Sequence, residues 1–397
     1  MERAELIARL REAAGTALVE RGSACFLIDP QWGERERAQW TALAERVPEN
    51  WDGHEGWLCI PTGGSAGAMK LARHDERTLG AAVEGFCAHF GVERVDALGL
   101  LPVWHVSGLV AWARCVWTSG VYRVANWKDV EAGRRPGALE GGFLSLVPTQ
   151  LARLLGDAQA EAWLRSFRAV FVGGGPAWPE LLAAGRAAGL PLSFSYGMTE
   201  TAAMVAALRP EEFLAGGDGV GTVLPHARIT AEADGRLVID AASLFCGYWP
   251  ETREAGPWRT DDLGEIDAEG RLRVRGRADA LIITGGEKVD PAEVTAALRG
   301  VVPGVEVVGV PHSEWGSEVV ALYPLAAGAA AVSEIVWRAA LAGRLAAANV
   351  PKRLVAVPAG AWPRSAQGKV NRAALADLAR DQAIDHGINR RRGSKLS

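Results

Sequence analysis

The sequence predicts an α/β protein with a large N-terminal domain built on parallel strands, a β-rich subdomain at about 220–276 and a smaller α+β C-terminal domain. Three observations support this class. Apolar runs alternate with helical periodicity from residue 96 onward, as in parallel sheets with helical crossovers. Turn dipeptides then separate alternating strands up to about residue 276. The length of 397 residues, 49% hydrophobic and 23% charged, suits two or three folded domains.

The chain begins with a charged amphipathic helix, MERAELIARLREAAG, which lacks the apolar stretch of a signal peptide. Strands are then predicted in ALGLLP, VYRVA, FLSLVP, FRAVFV and LSFSYG, with helices at 110–116 and in TQLARLLG and PELLAAGRAAG. Parallel sheets bind ligands beyond the carboxyl ends of their strands. We therefore expect a binding site in the loops after LGLLP, VFV and LSFSY.

Domain boundaries follow from the change in pattern. The N-terminal domain is predicted over 1–278, and its β-rich part contains hairpins that turn at Asp234-Gly235 and Glu269-Gly270. The C-terminal domain is predicted over 279–385. Residues 386–397 form a basic tail, which as a short terminal charge run is expected to be flexible and solvated.

Within the C-terminal domain, a hairpin is predicted in ALIITGGEKV, strands in VEVVGVP and VVALYPL, and helices after Ser333. A further helix is predicted from Pro291 to Leu298. Asp290 suits its N-cap, and proline is favoured at a first helical position.

Composition excludes several classes of protein. With 43 Lys and Arg against 47 Asp and Glu, the net charge of -4 gives no general attraction for nucleic acid. The five cysteines form no C-x-x-C pair, so we expect no zinc or redox site and a reducing cytoplasm. The most apolar region, 97–117, is interrupted by polar and helix-breaking residues, so no membrane span is expected.

A glycine-rich loop at PTGGSAGAMK, residues 61–70, carries the first chemical signal. Its glycines let backbone N–H groups converge on an anion, its hydroxyls donate to phosphate oxygens and its lysine adds charge. It does not fit the G-x-x-x-x-G-K-[ST] register of a Walker loop. Taken alone, such a loop is more often a structural turn.

Two further segments strengthen the nucleotide interpretation. The glycine turn at 173–176 follows one predicted strand, and SYGMTE ends the next. Tyr196 offers a flat face, Thr199 a hydroxyl donor and Glu200 a hard oxygen ligand of the kind that Mg²⁺ takes beside a nucleotide. The segments WRTDD, GRAD and PRSAQGKVNR come later in the chain.

In this order and spacing, the segments resemble the core motifs of the adenylate-forming superfamily of acyl-CoA synthetases, luciferases and peptide-synthetase adenylation domains, over about residues 58–375. The resemblance implies the fold of those enzymes, with a mobile C-terminal domain. It also implies a carboxylic acid, ATP and CoA as substrates and Mg²⁺ as the metal. An adenylated acid forms first, and a thiol then takes the acyl group.

The resemblance implies a set of ATP-binding residues: Thr62, Gly63, Gly64, Ser65, Gly67, Lys70, Gly174, Gly175, Pro176, Tyr196, Gly197, Met198, Thr199, Asp262, Arg277 and Lys369. Among them, Thr199 and Glu200 are expected on the phosphates and Mg²⁺, and Asp262 on the ribose hydroxyls. Three residues depart from the usual Thr, Pro and Gly of the phosphate loop, namely Ala66, Met69 and Leu71. Asp261 stands where a glycine is usual, which puts the geometry of that loop in question.

Lys369 matches the lysine on the mobile domain that bridges the substrate carboxylate and the α-phosphate. Because these two anions repel each other, a movable cation should lower the barrier to adenylation. Asp279 sits at the position of the hinge. Gly286 and Lys288 are expected at the CoA tunnel, although Gly286 also suits a plain hairpin turn.

Candidate acid-binding residues are His105, Arg114, Trp104 and Ser195. His105 matches the aromatic or histidine gate of the superfamily, and a structural role is its alternative. Arg114 lies in an apolar helix, where an unpaired cation is costly. It either pairs with an internal Glu or Asp or grips a second carboxylate on the substrate.

The short region before the phosphate loop, together with PTGGSAG and LPVWHVSGL, most resembles the o-succinylbenzoate CoA ligases of menaquinone and phylloquinone synthesis. Two alternatives stay open: a CoA ligase for another small aryl or alkyl acid, and a non-catalytic nucleotide-binding protein. The sequence leaves the oligomeric state, including a homodimer, undecided.

Overall fold

The computed structural model describes residues 1–47, 51, 53–62, 69–137, 139, 141–175, 177–312, 314–346, 349–364 and 370–381. These residues divide into two compact units, the first ending at Arg275 and the second beginning at Gly276. The sequence predicts the second domain from Asp279. The basic tail at 386–397 lies outside the described residues.

The helices are α1 (Arg3–Ala14), α2 (Glu34–Ala44), α3 (Glu76–Phe90), α4 (Val106–Trp117), α5 (Trp127–Glu131), α6 (Pro148–Leu154), α7 (Ala158–Arg165), α8 (Pro179–Ala187), α9 (Pro210–Leu214), α10 (Pro291–Leu298) and α11 (Glu334–Leu341). Residues 372–381 are also helical.

The strands of the first unit are β1 (Leu18–Arg21), β2 (Ala24–Leu27), β3 (Leu58–Thr62), β4 (Lys70–His74), β5 (Ala97–Gly99), β6 (Tyr122–Val124), β7 (Phe143–Leu146), β8 (Ala169–Val172), β9 (Leu192–Met198), β10 (Ala203–Ala207), β11 (Thr222–Val223), β12 (Ala227–Ala231), β13 (Arg236–Ala241), β14 (Trp258–Ile266) and β15 (Leu272–Arg277), whose last two residues belong to the second unit. Those of the second unit are β16 (Ile282–Thr284), β17 (Glu287–Val289), β18 (Glu306–His312), β19 (Gly316–Leu325) and β20 (Arg353–Pro358).

A seven-stranded sheet forms the centre of the first unit, in the order β11-β10-β9-β8-β7-β5-β6. Strands β5 to β9 pair in parallel, and β10 and β11 are antiparallel additions at one edge. This confirms the predicted parallel sheet. Helix α4 starts earlier than the predicted residue 110, because His105 is its N-cap.

Both faces of this sheet are covered. Leu144 and Val170 pack into one cluster with α6, α7 and α8, whereas Phe143 and Phe171 pack on the other side against Phe86 of α3. Burial of both faces explains why the strands are nearly continuous apolar runs in the sequence.

Two four-stranded sheets, β1-β2-β3-β4 and β12-β13-β14-β15, complete the first unit. The second has the predicted hairpins, with Gly235 and Gly270 at positive φ in their turns. The first sheet is not among the predicted elements. Its strands are short and lie between the N-terminal helices, where hydrophobic periodicity is weak.

The second unit has a sheet in the order β17-β16-β19-β18, with β20 parallel to β19. Helix α10 has the predicted bounds, and the carboxylate of its N-cap Asp290 accepts from the backbone N–H of Ala292. No helix in the described part of either unit is long and apolar enough to cross a membrane.

Candidate active site

Most of the predicted site residues of the first unit lie where parallel strands end. Trp104 and His105 follow β5, and Gly174 and Gly175 follow β8. The predicted residues Ser195, Tyr196, Gly197 and Met198 close β9. Gly173 lies close to Ser195, since a Cβ there would be 3.2 Å from the serine hydroxyl. The carboxyl edge of the sheet therefore collects side chains from separate crossovers.

The predicted phosphate loop joins β3 to β4. Thr62 ends β3, Lys70 begins β4, and the two are direct partners in the antiparallel pair. This pairing closes the base of the loop. The remaining predicted residues of the loop and two others lie outside the described residues: Gly63, Gly64, Ser65, Gly67, Pro176 and Lys369.

The turn formed by residues 199–201 is held through three successive backbone carbonyls. The Thr199 oxygen lies 2.8 Å from Nε2 of His74. The Glu200 oxygen accepts from the backbone N–H of Phe245 at 2.8 Å, and the Thr201 oxygen accepts from the Ser243 hydroxyl at 2.9 Å. Because every carbonyl of the turn has a donor, its backbone is fixed and presents the side chains of Thr199 and Glu200.

The His74 ring is neutral, because complete burial lowers its pKa to about 4 although the Thr199 carbonyl favours the charged form. A carbonyl only accepts, so Nε2 carries the proton. Nδ1 then accepts from the Thr78 hydroxyl, 3.0 Å away. Strand β4, which begins with Lys70, therefore ends at a residue that holds the 199–201 turn.

Glu200 is held by Tyr248, whose hydroxyl donates to Oε1 at 2.5 Å. The ammonium of Lys70 lies 4.8 Å from the centroid of the same tyrosine ring. Oε2 accepts no hydrogen bond from the part of the chain that the structure describes. A fixed carboxylate with one oxygen available fits the ligand that Mg²⁺ takes beside a phosphate.

Tyr196 and Asp262 are joined directly, since the buried phenol donates to Oδ2 of Asp262 at 2.6 Å. The predicted adenine and ribose contacts therefore form one unit. Asp261, which replaces the usual glycine, has a negative φ and pairs with Arg236 at 2.6 Å. Its side chain is 51% exposed and the residue lies within β14 rather than in a loop, so an aspartate fits here without strain.

Arg114 is buried on α4 without an anionic partner among the described residues. Its guanidinium carbon lies 3.9 Å from the centroid of the Phe86 ring, and its Nε has no hydrogen-bond partner. Burial lowers the pKa of Arg114 to about 10. The guanidinium lines a cavity of about 10 Å³ together with Phe143, Ser145 and Phe171. The alternative that Arg114 pairs with an internal Glu or Asp is not what the described residues show.

The predicted residues of the second unit lie in two places. Arg277 forms a bidentate pair with Asp279, with both N–O distances 2.7 Å. Gly285 and Gly286 form the turn between β16 and β17, and both have positive φ. Since this turn type requires glycine-like φ at both positions, hairpin geometry alone accounts for Gly286. Lys288 is exposed on β17.

Among the residues that contact the predicted site and were not found from the sequence are His74, Tyr248 and Asp29. His74 and Tyr248 hold the 199–201 turn as described, and Oδ2 of Asp29 lies 3.5 Å from Nε2 of His105. The partners are 48 to 125 residues apart for the first two. These residues and their partners come together only in the folded protein, so no local sequence motif identifies them.

A model of the AMP-binding enzyme family matches residues 3–249. The chain belongs to this family. The probable 2-succinylbenzoate–CoA ligase of Mycobacterium tuberculosis is 34% identical over 344 residues, which cover 80% of this chain and 83% of that protein. The 2-succinylbenzoate–CoA ligase of Geobacillus kaustophilus is 33% identical over 314 residues, covering 74% of this chain. The match covers 63% of the Geobacillus protein, which is less than two thirds of its length.

Solved structures agree on the fold. The o-succinylbenzoate CoA synthetase (MenE) from Bacillus subtilis, in complex with the acyl-adenylate intermediate OSB-AMP, has a TM-score of 0.70 at 26% identity and covers 94% of this chain and 80% of its own. ATP-bound MatB from Rhodopseudomonas palustris has a TM-score of 0.69 at 25% identity, covering 86% of this chain and 72% of its own. These matches confirm the predicted adenylate-forming fold.

The buried neutral histidine makes stability depend on pH. Between pH 6.5 and about 4 the unfolded chain binds a proton that folded His74 does not, so stability falls as the pH falls. We expect His74→Gln, which keeps an N–H donor, to reduce the slope of unfolding free energy by about 1.4 kcal/mol per pH unit in this range. Urea unfolding at a series of pH values measures this slope. The exposed His54→Gln is the control, and an unchanged slope in His74→Gln would contradict the assignment.

Proposed function

We propose that the protein is an AMP-forming CoA ligase whose acid is o-succinylbenzoate. The observation that carries the choice of acid is Arg114, a buried cation beside aromatic rings for which the described residues supply no anion. The names of the relatives from Mycobacterium tuberculosis and Geobacillus kaustophilus support the same substrate.

The chemistry of the acid fits this helix. o-Succinylbenzoate is a dianion with an aromatic ring, so its pocket needs apolar walls and a cation besides the reactive end. His105 and Arg114 lie about 13 Å apart along α4. The Arg114 side chain lies beside Phe86 and Phe171, and at 3.6 residues per turn it stands on the opposite face of α4 from His105. Its proposed part is to attract the carboxylate that does not react through its charge.

The small cavity beside the Arg114 guanidinium limits how closely a substrate carboxylate can approach it. With about 10 Å³ beside the guanidinium, there is room for about one water molecule. A carboxylate outside the cavity is then bound through that water and through the field of a cation in a low-dielectric environment.

In the first half-reaction, a carboxylate oxygen of the acid attacks the α-phosphorus of ATP, and pyrophosphate leaves as the acyl-adenylate forms. Tyr196 and Asp262 hold the adenosine, and Thr199 donates to the phosphates. Glu200 would hold Mg²⁺, which when bound neutralises phosphate charge. Lys369, which is outside the described residues, supplies the cation between the two anions.

In the second half-reaction, the thiolate of CoA attacks the acyl carbonyl carbon, and AMP leaves. The C-terminal domain turns about Asp279, withdrawing Lys369 and bringing the hairpin with Gly286 and Lys288 to the thiol. His105 then acts as the gate between the acyl group and the incoming thiol. We place the reaction in the cytoplasm, which fits the five free cysteines; a homodimer stays a prediction.

The reaction itself is tested by incubating purified protein with ATP, Mg²⁺, CoA and o-succinylbenzoate. We expect a thioester of the mass of o-succinylbenzoyl-CoA, with one AMP released per thioester. A panel of benzoate, malonate and medium-chain acids under the same conditions tests the alternative acids. Acid-dependent exchange of pyrophosphate into ATP, without any thioester, would point to a different acceptor, and no exchange with any acid would exclude a ligase.

The role of Lys369 predicts a selective loss. Lys369→Ala should slow acid-dependent pyrophosphate exchange by roughly 10²-fold, because the developing charge at phosphorus loses its preorganised cation. Thioester formation from chemically synthesised acyl-adenylate and CoA should change little, since the lysine has withdrawn in that step. Lys352→Ala, an alteration of another lysine in the same unit, is the control. Equal losses in both half-reactions would contradict the assigned role.

The proposed role of Arg114 predicts that its replacement weakens binding of the acid without lowering thermal stability. Arg114→Leu should raise KM for o-succinylbenzoate by about 10-fold or more, and far less for a monocarboxylate analogue. Thermal stability should stay equal or rise, because leucine replaces an unpaired buried cation with an apolar group. Arg123→Leu, at an exposed position of β6, is the control. Equal effects on both acids would remove the proposed contact.

A further inference from the structure

The loop after β2 brings a buried carboxylate to the predicted gate. Oδ2 of Asp29 lies 3.5 Å from Nε2 of His105, and the Asp29 side chain is only 5% exposed. The two residues are 76 positions apart in the chain. Nothing in the sequence therefore marks them as partners.

Asp29 is fixed by its own loop. Its Oδ1 accepts from the backbone N–H of Gln31 at 2.9 Å, which is an Asx-turn. Arg37 of α2 braces the same loop by donating to the carbonyls of Trp32 and Pro30 at 2.8 and 2.9 Å. With one oxygen committed to the turn, the other is held towards His105.

The carboxylate is kept ionised at this buried position. Burial raises the pKa of Asp29, but hydrogen bonding from His105 and from the Gln31 N–H outweighs burial and holds the pKa below its ordinary value. The Trp104 indole also favours the ionised form, although its N–H makes no hydrogen bond by distance and angle. A buried carboxylate is costly unless a donor meets it, so the imidazole and Asp29 stabilise each other's placement.

The fold around His105 holds its backbone in place. It is the N-cap of α4, its N–H donates to the carbonyl of Pro102 at 3.0 Å, and its carbonyl accepts from Leu109 at 2.8 Å. These backbone hydrogen bonds do not determine the side-chain torsion angles χ1 and χ2 of His105. Asp29 supplies one contact to the ring.

We infer that Asp29 is a positioning residue for His105: by accepting from Nε2–H, it selects the ring tautomer and holds the imidazole in one orientation at the acyl site. The inference rests on the proposed function for the gate, whereas the Asp29–His105 contact itself is a property of the fold. The two can be tested separately.

Asp29→Asn isolates the contact. The asparagine Oδ1 still accepts from Gln31 N–H, so the turn survives, but an amide N–H₂ replaces the oxygen that faces His105. Asp157→Asn is the matched control, because Asp157 also accepts from a backbone N–H two residues ahead and pairs its second oxygen with an arginine, away from His105. Asp29→Ser keeps a turn-forming acceptor and gives the same test if the asparagine variant does not fold.

The first measurement is the ring ¹⁵N spectrum of histidine-labelled protein, with the His105 signal identified by its loss in His105→Phe. We expect the Nε2–H tautomer to predominate in the unaltered protein and in Asp157→Asn, and a mixture of tautomers in Asp29→Asn. This readout needs no substrate, so it does not depend on the proposed function. An identical His105 spectrum in Asp29→Asn overturns the inference.

The second measurement is a double-mutant cycle in kcat/KM for o-succinylbenzoate. Asp29→Asn should lower it by about 10-fold in the unaltered protein and by less than twofold in the His105→Phe background, because Asp29 acts only through the ring. An equal loss in both backgrounds shows that Asp29 acts independently of His105 and overturns the inference. If the unaltered protein forms no thioester at all, the proposed function fails while the tautomer measurement still decides the contact.

Discussion

The site depends on the hydrogen bonds that hold three consecutive carbonyls of the 199–201 turn. His74 comes from β4, whereas Ser243 and Phe245 come from the segment after β13, so a turn at the end of β9 is tied to two other sheets of the first unit. Buried carbonyls without donors would each cost about 1–3 kcal/mol. The folded core therefore supports only one placement of Thr199 and Glu200, and the chemistry proposed for them requires this rigidity.

Two residues link this turn to the predicted phosphate loop. Strand β4 begins at Lys70 and ends at His74, so its ends meet the Tyr248 ring and the Thr199 carbonyl respectively. Tyr248 in turn donates to Glu200. Lys70, which begins β4, is therefore connected to the Glu200 carboxylate through Tyr248 and to the backbone of the turn through the strand that ends at His74. Lys70 and Glu200 thus both contact the side chain of Tyr248.

The sequence predicts the parallel sheet and the site at its carboxyl edge because both depend on local signals: apolar runs, glycine turns and the residues that follow strands. Helix α10 is predicted with its observed bounds for the same reason, since Asp290 and Pro291 fix its start. Residues such as His74, Tyr248 and Asp29 could not be predicted, because their partners are distant in the chain. The sheet β1–β4 was missed because its strands are short and carry little periodicity.

The fold decides between the two explanations that the sequence leaves open for Arg114, a charged residue in an apolar helix. From the sequence, such an arginine either pairs with an internal Glu or Asp or binds a second carboxylate on the substrate. The internal pair is the simpler explanation, because it needs no ligand. The described core offers it Phe86 and Phe171 instead of a carboxylate, and burial without an anion lowers its pKa to about 10. Leucine would pack in this position without the cost of desolvating a cation. We propose that a ligand supplies the missing anion, and the second carboxylate of an aromatic diacid has the charge to do so.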